Sequence, residues 1–423
     1  MPKEILINIR DKSKRIAIVK NQVLEEFYLE LSDQKTILGN IYKGKVRSIV
    51  PSINAAFVDI GQEKNGFLYL GELTNPLVEE ELSEQGPASN NEQRKNNVNK
   101  IKVGEEIMVQ VVKEAFGTKG PRLTTHISLP GRYLVLMPLD KNTGISRRVT
   151  DRNERKRLRS ILEKINFFKD VGLIVRTVAT GRGKRDFVRD GRFLIRIWRN
   201  TKRNSSRLRA PALIHSEFGI LFKVLRDVFS DDVDSVLIDS RDQYRQVVSF
   251  VRSVMGYHFA KKIKLYREGV PLFEFKNVED EIKKLYENKI YLKTGVYIVI
   301  EITEGLTVVD VNSGRFKSGA NPERTALQVN LQLTKEIARQ LRLRDIGGII
   351  VIDFIDMMEA QNQRRVLNAF KEALRQDRAK TEVLGISMLG LVEMTRERTS
   401  RSIESKYYKA CPYCEGRGKL KID

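Results

Sequence analysis

The sequence predicts a multidomain α/β protein with a small β-barrel inserted near its start. Three observations lead there. At 423 residues the chain is long enough for two to four domains. Residues 297–357 read as a hairpin followed by a strand–helix–strand crossover. Residues 37–129 read as short, evenly spaced strands with Gly-rich turns, the pattern of a small closed barrel of the OB type.

The crossover is the most regular stretch. The apolar run Tyr297–Ile302 is followed by a Glu304-Gly305 turn and by Leu306–Asn312. Pro322 suits a first helical turn, and Leu327, Leu331, Thr334, Ala338 and Leu341 share one helical face. Gly347-Gly348 then leads into Ile349–Asp356. Such a crossover makes its two strands parallel, which puts Asp310 and Asp353 at carboxyl ends, where open α/β sheets bind ligands. Asn312 lies two residues beyond Asp310 and therefore on the same side. Two carboxylates and an amide oxygen suit a hard cation such as Mg²⁺. The competing reading is that the aspartates only cap strands.

Net charge is +22, which points to a polyanionic partner, nucleic acid before membrane. No apolar run approaches a membrane span. The start, Met1-Pro2-Lys3-Glu4-Ile5, is neither a signal nor a transit peptide. Two cysteines exclude a disulfide framework.

In chain order, residues 4–36 give three short strands, too few to bury a core alone. In the barrel, Phe57 and Phe67 fall on neighbouring strands and could stack bases, or both could be core. Lys43, Lys45, Arg47, Lys113 and Lys119 favour stacking. The polar stretch 75–100 reads as a disordered insertion. From Arg176 to Arg209 there are twelve Lys or Arg against two Asp, interleaved with Phe187, Phe193, Leu194, Ile195, Ile197 and Trp198. That pattern reads as folded, phosphate-facing surface, or as a solvated charged face. Arg147-Arg148 precede a helix from about Asp151 to Lys164. Asp239 ends a strand alone and reads as structural. Met358–Arg378 reads as a basic helix, and Leu389–Glu393 as a strand that would bring Arg396 and Arg398 near the carboxylates. Cys411-Pro412-Tyr413-Cys414 offers two thiolates. Structural zinc takes four ligands, so two chains would each give a pair; a redox dithiol and a metal-free tail are the alternatives.

Several segments in shared order resemble the catalytic half of the RNase E/G family of endoribonucleases. They are Tyr42-Lys43-Gly44-Lys45, Ala55–Asp59, Gly172–Thr177, Pro211–His215, Ile337–Asp345, Gly347–Met357 and the final Cys-Pro-x-Cys. The resemblance implies an RNase H-like block in two parts (1–36 and 216–285), an S1-type barrel (37–128), a 5′-sensor (129–215), a DNase I-like catalytic subdomain (286–400) and a zinc-link tail (401–423). It implies Mg²⁺ on Asp310 and Asp353 with Asn312 alongside, and RNA anchoring on Phe57, Phe67 and Lys119. It assigns 5′-monophosphate sensing to Arg176 and Thr177, with Gly131, Val135 and Arg147 nearby. Cleavage of single-stranded A/U-rich RNA in rRNA and tRNA processing and mRNA decay follows, as do zinc-linked dimers that pair into tetramers. The loop Asn312–Lys317 is closer to the RNase G flavour. Richness in Lys, Asn and Ile suits a plastid-encoded protein of the stroma, the alternative being a bacterial cytoplasm. A non-catalytic RNA-binding protein is the rival from another class.

Overall fold

The computed structural model describes residues 2–32, 36–70, 101–115, 119–165, 171–316, 321–398 and 411–413. The expected insertion at 75–100, Lys317 and Cys414 lie outside them. The chain forms two compact units. One comprises Met1–Asp33, Asp232–Ser240 and Lys264–Asp423; the other comprises Gln34–Asp231 and Arg241–Ile263.

The first unit opens with an antiparallel meander of β1 (Lys3–Arg10), β2 (Ser13–Lys20) and β3 (Val23–Leu31). Asn21 and Gln22 join β2 to β3, both at positive φ, as a tight hairpin turn requires.

The second unit contains the barrel. Strands β4 (Ile41–Val50), β5 (Ala55–Asp59), β6 (Gly66–Tyr69), β7 (Glu106–Lys113) and β8 (Arg122–Thr124) run in the order β4-β5-β6-β8-β7, and β4 closes on β7. Closure removes every sheet edge and leaves a filled interior of Val46, Val58, Leu68, Val109 and Leu123. A second sheet follows, built from β9 (Leu129–Pro130), β10 (Leu134–Met137), β11 (Thr143–Ile145) and β12 (Gly172–Val175). Helix α1 (Arg152–Glu163) starts where Asp151 accepts from the Asn153 and Glu154 amides. Helix α2 (Lys184–Arg207) spans 24 residues of the basic stretch. Its Phe187, Leu194 and Trp198 complete the core, and its cations face out. Strand β13 (Ala212–His215) adds to β4, and α3 (Ile220–Val228) follows.

Strand β14 (Ser235–Ile238) returns to the first unit and pairs parallel with β1. Asp239, just beyond it, accepts from the Ile9 amide and the Asn8 side chain, so it closes that strand end as expected of a structural residue. Helix α4 (Arg241–Val254) packs on α2 in the second unit, and β15 (Ile263–Leu265) borders β14.

The rest of the first unit is a six-stranded mixed sheet. Its order is β16 (Lys289–Tyr291), β17 (Tyr297–Ile302), β18 (Leu306–Asn312), β19 (Gly348–Asp353), β21 (Val392–Arg396) and β20 (Thr381–Ile386). Helix α5 (Pro322–Arg344) makes the crossover between the parallel strands β18 and β19, and α6 (Ala360–Leu374) packs on α5. The expected face of α5 is buried, with Thr334, Ala338 and Leu341 fully so. Val309, Ile350, Ile352, Leu333, Ile337 and Phe370 form the core beneath the site. Among the described residues no helix is long and apolar enough to cross a membrane.

Candidate active site

The parallel register aligns Asp310 with Asp353, each the residue after a buried apolar one, Val309 and Ile352. Neighbouring strands lie about 4.8 Å apart, so the two carboxylates share one end of the sheet. The Asn312 amide donates to Asp310 Oδ2 at 2.8 Å. Burial first, then the charges of Asp310 and Asp356, push the Asp353 carboxyl above the ordinary aspartate range. Neither Asp310, Asp353 nor Asp356 has an ion-pair partner among the described residues. No cluster of three His, Cys, Asp or Glu closes a full metal cage among the described residues. Two carboxylates and an amide, with the remaining positions open, fit the way Mg²⁺ is held.

The sequence did not disclose what aims these groups. Asn330, fully buried on α5, donates to the Ile355 carbonyl at 2.8 Å and accepts from the Ile355 amide at 3.1 Å. One helical heptad earlier, Glu323 accepts from the Met358 amide at 2.8 Å and from Asn362 at 2.7 Å. Together they pin the turn that carries Asp356. An asparagine inside an apolar helical face was the available signal. On the other side, Gly314 sits at φ +55°, and a Cβ there would meet the Gly295 carbonyl oxygen at 2.2 Å.

Three expectations need correction. The last strand is β21, Val392–Arg396, not Leu389–Glu393; Leu389 is exposed. Because β21 runs antiparallel to β19, Arg396 lies opposite Gly348, at the far end of the sheet from Asp353. It is buried and bonded to Asp377 at 2.8 Å and Asp345 at 3.0 Å. Arg398 continues away from the site and bonds the Gly347 carbonyl. Neither reaches a phosphate held at the carboxylates. The basic helix expected over Met358–Arg378 is shorter, Ala360–Leu374.

On the barrel, Phe57 faces Phe67 across antiparallel strands, ring centroids 5.9 Å apart and edge to face. Both are half-buried, so each ring keeps an open side. The register continues the row: Phe67 lies beside Arg122, and Arg122 beside Lys113. Arg122 is the member that sequence reading missed, because only strand register reveals it. Lys113 and Lys119 are exposed. Lys43 and Arg47, by contrast, are paired with Glu106 and Asp59.

In the second sheet Arg176 follows β12 and donates to the Gly131 carbonyl at 2.8 Å and to Asp227 at 2.7 Å. Gly131 must be glycine, since a Cβ would touch the Asp190 carboxylate at 2.6 Å. Asp190, fully buried on α2, collects the amides of Arg132, Tyr133 and Leu134 at 2.7–3.0 Å. Thr177 is half-buried beside Arg176, and Arg147 is exposed. Val135 is buried against Met137 and Ile174 and is therefore core. Cys411 is exposed.

A closed five-stranded barrel together with a carboxylate-edged mixed sheet defines a multidomain α/β protein that carries an OB-like barrel. Residues 35–125 match the S1 RNA binding domain, and residues 128–399 match the Ribonuclease E/G family. The chain belongs to the ribonuclease E/G family. It is 39% identical to ribonuclease G of Escherichia coli K12 over 425 aligned residues, all of this chain and 85% of that protein. It is 38% identical to ribonuclease G of Haemophilus influenzae, over 99% of this chain and 84% of that protein. It is 40% identical to ribonuclease E of the same organism, over 99% of this chain but only 44% of that longer protein.

Proposed function

We propose that the chain is a Mg²⁺-dependent endoribonuclease that hydrolyses single-stranded, A/U-rich RNA and favours a 5′-monophosphate, working in rRNA and tRNA processing and mRNA decay. The observation that carries this reading is the in-register pair Asp310–Asp353, which has no ion-pair partner among the described residues. Asp310 and Asp353 would hold the cation, which supplies polarisation of the phosphoryl oxygen and a more acidic water when bound. Asn312 fixes the Asp310 carboxylate through its amide, and its own oxygen, which has no donor among the described residues, would face substrate or water. Asn330 and Glu323 hold the turn beyond Asp353 still, so the site needs little rearrangement. Attack of water on phosphorus leaves a 5′-phosphate and a 3′-hydroxyl, and no 2′,3′-cyclic end.

The barrel row Phe57–Phe67–Arg122–Lys113, with Lys119, suits two stacked bases flanked by phosphates. Arg176 and Thr177 are our candidates for the 5′-monophosphate. Asp227 and Gly131 hold the Arg176 guanidinium on one side, so a compact phosphate meets it already oriented. Cys411 and Cys414 of two chains would share one zinc ion, and such dimers could pair into tetramers.

The test is product chemistry. A 5′-monophosphorylated oligonucleotide incubated with Mg²⁺ should give 3′-hydroxyl ends; cyclic phosphate ends would exclude water as the attacking group. Zinc near one ion per two chains, lost in Cys411→Ser, tests the link; zinc retained in that variant refutes it.

A further inference from the structure

Helix α2 carries a second feature that the cleavage site and the barrel leave unexplained. Arg185, Arg189, Arg192, Arg196, Arg199 and Arg203 are spaced alternately four and three residues apart, so they form one stripe along the helix. At 1.5 Å per residue the stripe is about 27 Å long. Some arginines elsewhere in this unit are neutralised: Arg157 by Glu154, Arg176 by Asp227, Arg226 by Glu217. Among the described residues, Arg189 alone on the stripe has a carboxylate, Asp186 at 3.6 Å. Arg185, Arg192 and Arg196 are exposed and form no ion pair among the described residues. Like charges at this spacing repel, which a folded helix tolerates best when a polyanion neutralises them.

The stripe also borders a concavity. A groove of about 850 Å³ runs along α2, lined by Arg185, Arg189, Arg192 and Arg196 and by Ser253 of α4. An adjoining hollow of about 490 Å³ shares Ser253 and adds Tyr244, Arg245 and Arg252 from α4. No carboxylate lines either one. The floor is aromatic: Phe193 stacks on Phe218 at 5.9 Å and meets Phe250 at 6.0 Å. The lining offers cations and hydroxyls, and no Asn or Gln amide to read base edges.

We infer that the groove between α2 and α4 is a sequence-independent binding site for the phosphate backbone of RNA, separate in its residues from the carboxylate site, the barrel row and the Arg176 group. This deepens the ribonuclease reading and rests on it for the choice of RNA as the polyanion.

The experiment is RNA binding by the full chain without divalent metal, followed by fluorescence anisotropy across a salt series. Each neutralised phosphate contact changes the slope of log K against log salt by about 0.7 for single strands. In Arg185→Gln/Arg192→Gln/Arg196→Gln the slope should therefore fall in magnitude by about 2, for RNAs of unrelated sequence alike. Replacing the same three by Lys should restore most of the binding. Arg245→Gln/Arg252→Gln, on the facing helix, should weaken binding in the same way and serves if the triple variant does not fold. Unchanged affinity and slope in the folded glutamine variants would overturn the site. So would polyglutamate binding as tightly as an RNA of equal charge. Wild type that binds with the expected slope yet never cleaves would remove the nuclease reading and leave the groove standing.

Discussion

Asp353 shows how one side chain links stability to chemistry. Although the residue is exposed, partial desolvation first and then two neighbouring carboxylates raise its folded pKa. Ionising it therefore costs the fold, and that cost appears as pH rises through the raised value and is absent below the ordinary value of about 3.9. Asp353→Asn should raise the melting temperature of the metal-free protein at neutral pH; an unchanged or lower value would mean the carboxylates are not crowded. Metal binding needs the ionised form, so cation affinity should begin to fail at a pH above about 4 as acid is added. Titration of Mg²⁺-dependent protection against unfolding checks it. Asp190 makes the opposite case, a buried carboxylate that is fully bonded. Asp190→Ala leaves three buried amides without an acceptor and should cost about 3 kcal/mol or more in urea unfolding. A loss below about 1 kcal/mol would show that water replaces it.

At the scale of elements, the crossover from β18 through α5 to β19 was readable because its periods switch cleanly and Pro322 and the Gly347-Gly348 pair punctuate it. The placement of Asp310, Asn312 and Asp353 followed from that alone. Strand direction further on was not readable, since nothing in Val392–Arg396 tells whether it runs with or against β19; Arg396 was misplaced for that reason. Its buried pairing with Asp377 and Asp345 gives a structural role. Arg396→Met should cost about 3–5 kcal/mol by stranding a buried carboxylate, while the folded fraction keeps its turnover. Turnover lost in proportion well beyond the unfolded fraction would return Arg396 to the site. The length of α2 was hidden by charge density, with Gly191 and Asp190 breaking its apolar pattern, although Asp190 is what ties it to the 131–134 turn. Asn330→Ala should lower kcat about tenfold with little change in RNA affinity, because a misaimed turn affects the reacting geometry more than the binding surfaces. A pure affinity loss would argue against that role.

For the whole molecule, charge was the most legible property and the least specific. The +22 balance pointed to a polyanion at once, yet it did not separate cations that bind from cations that merely balance acids. The structure makes that separation for Lys43 and Arg47, which are paired, and for Arg185, Arg192 and Arg196, which form no ion pair among the described residues. The family match spans the catalytic stretch and the barrel in one chain, so recognition and cutting are built into one polypeptide. The most direct measurement is single-turnover cleavage of a 5′-monophosphorylated single-stranded RNA with saturating Mg²⁺, in wild type and in Asp310→Asn and Asp353→Asn. Both variants should bind the RNA normally and cleave it about 10³-fold more slowly, the loss of roughly 4 kcal/mol of transition-state stabilisation. Cleavage by either variant at the wild-type rate would contradict the assignment of the cation to that pair of carboxylates.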